Sequence, residues 1–125
     1  MADETGIAED SAAAADCVFC KVVAGEIPAD VVHEGELVLA FRDLAPVAPT
    51  HVLVVSRRHH RDVAALAADQ PRALTKLVRV AGEVAVTAGH DDYRLVFNTG
   101  AGAGQSVFHV HGHVLAGRDL TWPPG

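Results

Sequence analysis

No stretch of this chain approaches the roughly 18 consecutive apolar residues that a membrane span requires, and its first fifteen residues lack the apolar core of a secretory leader. Only two of its 125 residues are cysteine. With no secretory signal, that pair points to the reducing cytosol. Basic residues are also scarce, ten Lys and Arg against sixteen Asp and Glu, for a net charge of −6. They form no stripe, which excludes a nucleic-acid surface built on clustered cations. The acidity itself is local. Asp3, Glu4, Glu9, Asp10 and Asp16 fall in the first sixteen residues without a single base, leaving eleven acids against ten bases in the rest. Residues 1–15 therefore read as a disordered, solvated acidic tail, and 16–125 as one domain with no internal repeat.

What is present is a globular composition, 50% hydrophobic, and eight histidines. So many imidazoles point to metal or proton chemistry. Asp16 is placed to cap a short helix starting at Cys17 and ending at Gly25. Val31–Glu34 and Leu37–Asp43 read as a hairpin around Gly35-Glu36, and His51–Ser56 as a third strand. A short helix is expected over Asp62–Ala68. A longer one starts at Pro71 and runs to about Ala88, with Leu74, Leu77, Val78, Ala81, Val84 and Ala85 as its buried stripe. Tyr93–Thr99 and Val107–Leu115 complete five strands around a glycine-rich loop. Grouped strands with one long inserted helix predict an α+β fold with an antiparallel sheet.

The last strand carries His109-Val110-His111-Gly112-His113. Alternate strand residues share a face, so the three histidines line one side while Phe108, Val110 and Val114 face the core. His109 and His113 would then lie roughly 13 Å apart, too far for one ion to take all three rings. The preceding Asn98–Ser106 segment holds three glycines whose N–H groups can approach an anion closely. A donor loop beside a neutral imidazole reads as a phosphate site, in which an imidazole attacks phosphorus. Ser106 is placed to donate to a phosphate oxygen or a leaving group, and His113 to bind the phosphate. His51 reads either as a partner of this cluster or as a buried structural histidine. His33 and His90 read as surface residues, Arg57 and Arg58 as a solvated turn, and Tyr93 and Phe97 as core.

Cys17 and Cys20 form a CxxC that would share one helix face. Spacing alone leaves three readings open: two thiolates on one metal, two reduced core cysteines, or a redox dithiol.

At the histidine run the chain resembles the histidine triad (HIT) superfamily, whose motif is His-φ-His-φ-His-φ-φ with φ hydrophobic. The likeness is greater to its nucleotide-binding, nucleoside phosphoramidase-like branch. It extends over Phe19, Glu26–Ala29, Ala40–Asp43, Ala48–His51, Gly104–Phe108 and the terminal Trp122-Pro123-Pro124-Gly125. The resemblance implies a five-stranded sheet with one long and one or two short helices, and a homodimer joining two sheets into ten strands. It implies a purine nucleotide substrate and a phosphoramidase forming a nucleotidyl intermediate on His111. It assigns the phosphate to Asn98, Gly104, Gln105, Ser106 and His113, and the nucleoside to Phe41, Asp43 and Leu44. It brings Trp122 to the partner subunit's site. It also implies structural zinc, of the type found in bacterial members, on Cys17, Cys20, His59 and His109. The adjacent His60 is the alternative to His59. Gly112 departs from the motif, and a strand glycine loosens packing.

Three other readings remain: a dinucleoside polyphosphate hydrolase, a nucleotide-binding regulatory module with little turnover, and a metallohydrolase using His109 and His111 as ligands.

Overall fold

The computed structural model describes residues 15–125. The expected acidic tail lies outside them, apart from Ala15. Helix α1 (Val18–Val23) opens the domain. Its N-cap is Cys17, whose sulfur accepts from the Cys20 amide, and not the expected Asp16. Gly25 follows the helix with φ +79°, a left-handed turn that glycine adopts without strain.

Strands β1 (Val31–Glu34) and β2 (Val38–Arg42) form the expected hairpin, and β3 is Thr50–Ser56. Helix α2 (Val63–Asp69) is capped by the Asp62 carboxylate, which accepts from the Ala65 amide at 2.9 Å. Helix α3 (Pro71–Thr87) begins on its proline, where the missing N–H costs nothing. Strand β4 covers only Arg94–Val96, and β5 covers His111–Ala116. The five strands form one antiparallel sheet in the order β1-β2-β3-β5-β4. The fold is α+β, as the grouped strands predict.

The central strand β3 is buried along its whole length. Its two faces feed two separate cores. Val52 and Val54 join Val38, Ala40, Val110 and Val114 under α3. Leu53 and Val55 join Leu39, Phe41 and Phe19 under α1. The sheet thus separates a helix-covered core from the face that carries the site.

Three expectations are corrected. The α3 stripe is rotated: Ala73 and Val80 are buried with Leu77, Ala81 and Ala85, while Val78 is 44% exposed. The last strand begins four residues later than expected, so His109 precedes it and Phe108 is 46% exposed instead of core. Tyr93 is likewise 40% exposed. Among the described residues, no helix is long and apolar enough to cross a membrane.

Candidate functional site

His111 and His113 alternate on β5 and present adjacent rings, with centroids 4.9 Å apart. The nitrogen atoms of His111 have distinct tasks. Its Nδ1 lies 2.8 Å from the His109 carbonyl, an oxygen that can only accept. Nδ1 is therefore the protonated nitrogen, and Nε2 keeps a free lone pair. Phe19 meets this ring edge-on at 5.0 Å and walls it off from water.

His113 is oriented through His51. The Val47 amide donates to His51 Nδ1 at 3.1 Å, so the proton of neutral His51 sits on Nε2. That nitrogen lies 2.9 Å from His113 Nδ1 and donates to it. His113 must then carry its own proton on Nε2, as a donor facing the open site. Asp43 Oδ2 stands 3.4 Å from the same His51 nitrogen. Burial lowers the pKa of His51 and of His111, against the opposing pull of Asp43 on His51 and of the His109 carbonyl on His111. Burial, with the neighbouring His111 and His51, pushes His113 down to about 4. The rings are neutral at pH 7, as a nucleophile and a hydrogen-bond relay require. Asp43, His51 and His113 offer three ligand atoms close together, yet His51 and His113 already satisfy each other.

His109 points elsewhere. The bend before β5 turns its ring toward α1, where its Nδ1 lies 3.3 Å from Cys17 Sγ and 3.4 Å from Cys20 Sγ. His59 Nδ1 lies 3.3 Å from Cys20 Sγ. These four donor atoms all fall within 4.8 Å of one another. Ligands at 2.0–2.3 Å around a tetrahedral zinc are separated by about 3.3–3.8 Å, so the cluster has the right size. His109 Nε2 donates to the Ser56 carbonyl at 2.7 Å, which fixes the tautomer and leaves Nδ1 for a metal. Burial lowers His109 to about 4, so the lone pair is free at neutral pH. Burial, then the adjacent Cys17, raises the Cys20 thiol to about 12. A bound cation would reverse that penalty. His60 is excluded from the cluster. Its Nε2 lies 2.8 Å from Asp69, and its backbone carbonyl accepts from Val110.

The glycine loop is braced by Gln105. Its side chain accepts from the Gly100 amide and donates to the carbonyls of Arg61 and Val107. The side chain expected at the phosphate is therefore engaged in holding the loop. Gly104 has φ +94°, and Asn98 Nδ2 lies beside it. Ser106 is exposed. On the nucleoside side, Phe41 is buried against Phe19, Asp43 is half-buried, and Leu44 is 98% exposed. Trp122 is 82% exposed.

Sequence reasoning left undecided what His51 does, and it missed the bend that separates His109 from its neighbours. Of the two residues read as surface, His90 bonds Thr50 Oγ1 at 2.9 Å, and His33 has a buried Nε2.

The profile of the HIT domain matches residues 24–120. The chain belongs to the HIT family. It is 40% identical to the purine nucleoside phosphoramidase of Escherichia coli over 109 residues, covering 86% of this chain and 92% of that protein. It is 43% identical to an uncharacterized HIT-like protein of Synechococcus elongatus over 111 residues, covering 88% and 97%. A crystal structure of a HIT family hydrolase from Legionella pneumophila superposes with a TM-score of 0.84 at 45% identity, covering 88% of this chain and all of that one.

Proposed function

We propose that this HIT protein is a hydrolase that cleaves the P–N bond of purine nucleoside 5′-phosphoramidates. The observation that carries the reading is the His111 ring, protonated on Nδ1 by its bond to the His109 carbonyl and unencumbered on Nε2. The 40% identity to a purine nucleoside phosphoramidase supports the substrate class.

In this reading His111 Nε2 attacks the α-phosphorus. The new N–P bond forms as the P–N bond to the amine breaks, and the departing amine takes up a proton. Water then attacks the phosphorus, releases the nucleoside monophosphate and returns the electron pair to His111. His113 donates its Nε2 proton to a phosphate oxygen as charge develops there, with amides of the Gly104–Ser106 turn and Asn98 as further donors. Ser106 donates to the phosphate or the leaving group. Gln105 acts through the loop it braces. Phe41, Asp43 and Leu44 take the nucleoside.

Cys17, Cys20, His59 and His109 hold zinc in the same reading. The ion cross-links α1 to the approach of β5 and supplies no catalytic chemistry. Two reduced cysteines suit the cytosol. A second copy of the chain would join its sheet to this one and bring Trp122 to the neighbouring site.

Side-by-side hydrolysis of adenosine 5′-phosphoramidate and diadenosine tetraphosphate tests the substrate class. The phosphoramidate is expected to have the larger kcat/KM. Much faster cleavage of the tetraphosphate overturns the reading.

A further inference from the structure

Past His113 the site opens into a cavity of about 350 Å³, and the charge that lines it has no part in the reaction described above. His51, Asn98 and His113 line it together with Arg94 and Arg118. The strand register explains the placement. Val96 lies opposite His113, and Arg94 opposite Leu115. Arg94 therefore shares the histidine face and sits diagonally from His113, a backbone spacing of about 7–8 Å that an arginine side chain spans. Arg118 follows the end of β5.

Both guanidinium groups are aimed by backbone carbonyls. Arg94 Nη2 donates to Leu120 O at 3.2 Å, Arg118 Nε to Val47 O at 2.8 Å, and Arg118 Nη1 to Asp119 O at 3.0 Å. Arg42, Arg57, Arg58 and Arg61 all pair with carboxylates, but among the described residues neither Arg94 nor Arg118 does. Most of their donors are left for a ligand. The nearby Asp43 is committed to the Ala45 amide and to His51. An in-line displacement sends the leaving group away from the attacking nitrogen. The cavity lies along β5 on the far side of His113 from His111.

We propose that Arg94 and Arg118 form the leaving-group subsite, and that the preferred substrates are phosphoramidates whose departing amine carries a carboxylate. This rests on the phosphoramidase reading. Guanidinium forks match a carboxylate and contribute little to an uncharged amide of the same size.

The test compares kcat/KM for the adenosine 5′-phosphoramidates of β-alanine and of β-alanine amide. The wild-type carboxylate-to-amide ratio is expected to fall about tenfold in the Arg94→Gln/Arg118→Gln protein. The ratio is insensitive to partial unfolding, because both substrates see the same folded fraction. A second measurement needs no variant: in the wild type the ratio should fall as salt is raised. A ratio unmoved by both the substitutions and salt, with both substrates cleaved, overturns the subsite alone. Failure of the wild type to cleave either substrate overturns the phosphoramidase reading and the subsite with it. If diadenosine tetraphosphate hydrolysis loses more than the carboxylate preference does in the double variant, the anion is a phosphate chain and the carboxylate assignment is wrong.

Discussion

The His51–His113 pair turns a buried polar residue into a tautomer lock. Without the proton on His51 Nε2, His113 is free to protonate its inner nitrogen and present a lone pair to the phosphate. His51→Leu should lower kcat about tenfold with little change in KM, the scale of losses seen when an orienting partner is removed. His51→Gln keeps an N–H donor and should recover most of the rate. Equal losses in both variants would mean that His51 only fills space. The acid limb of kcat/KM should lie below the ordinary imidazole value of 6.5, because burial lowers His111 and His113 together. Gly112 reads differently in the fold than in the motif. A Cβ there would meet Leu95 Cδ1 at 2.8 Å and the Phe97 ring at 3.2 Å. The volume a larger residue would occupy is taken by these two side chains, so the strand is not under-packed. Gly112→Leu should cost about 1–3 kcal/mol in chemical denaturation by overpacking. Gly112→Leu with Phe97→Val should regain much of it. A stabilising single substitution would show that the space is open.

At the level of elements, α1 is six residues long and gains little from its own hydrogen bonds. Its anchors are Phe19 in the smaller core and the Cys17–Cys20–His59–His109 cluster. Chelation should lower the melting temperature and leave the helix frayed, and metal analysis of untagged protein should find close to one zinc per chain. Well under one removes zinc from the account. The chelated protein has a further signature. His109 is held near 4 when folded, against 6.5 for an ordinary imidazole. Between those values the unfolded chain binds a proton that the folded chain does not, so stability falls as pH drops from 6.5 toward 4 and is level above. The share due to His109 should be about 3 kcal/mol by pH 4 in denaturant titrations. A flat profile would contradict the burial of a neutral ring.

These same elements show what a sequence can disclose. The hairpin and β3 were legible because apolar runs are bounded by Gly35-Glu36 and by Pro46 and Pro49. The start of α3 was legible because Pro71 is favourable only there. The onset of β5 was not, because alternation from Val107 continues through a bend at which the Val110 amide donates to the His60 carbonyl instead of to a neighbouring strand. The Cys17 cap was missed because sulfur is a poor and unusual capping acceptor. The rotation of α3 was missed because spacings of three and four admit two overlapping stripes, and only the sheet beneath selects one. Of the site, strand spacing already argued that the three histidine rings cannot share one ion, and His109 does lie beside Cys17 and Cys20 while the His111 and His113 rings adjoin each other. The hydrogen bonds that set their tautomers come from the Val47 amide and the His109 carbonyl, which no motif encodes.

For the whole molecule, one sheet divides the core under α3 from the face that carries the histidine site. Strand β4 lies at the sheet edge, and Val78, Gly82, Val86 and Tyr93 line an adjoining surface along α3. An exposed edge beside apolar side chains suits a second copy. Light scattering should give the mass of two chains, and Val86→Glu should shift it toward one. A monomeric wild type would contradict the joined sheet. The central claim is the covalent role of His111. Rapid quenching of the wild type with adenosine 5′-phosphoramidate, followed by mass spectrometry of the digested protein, should find an adenylyl group on the peptide carrying His111, and none in His111→Ala. An adduct on another histidine, or turnover that persists in His111→Ala, would contradict the account.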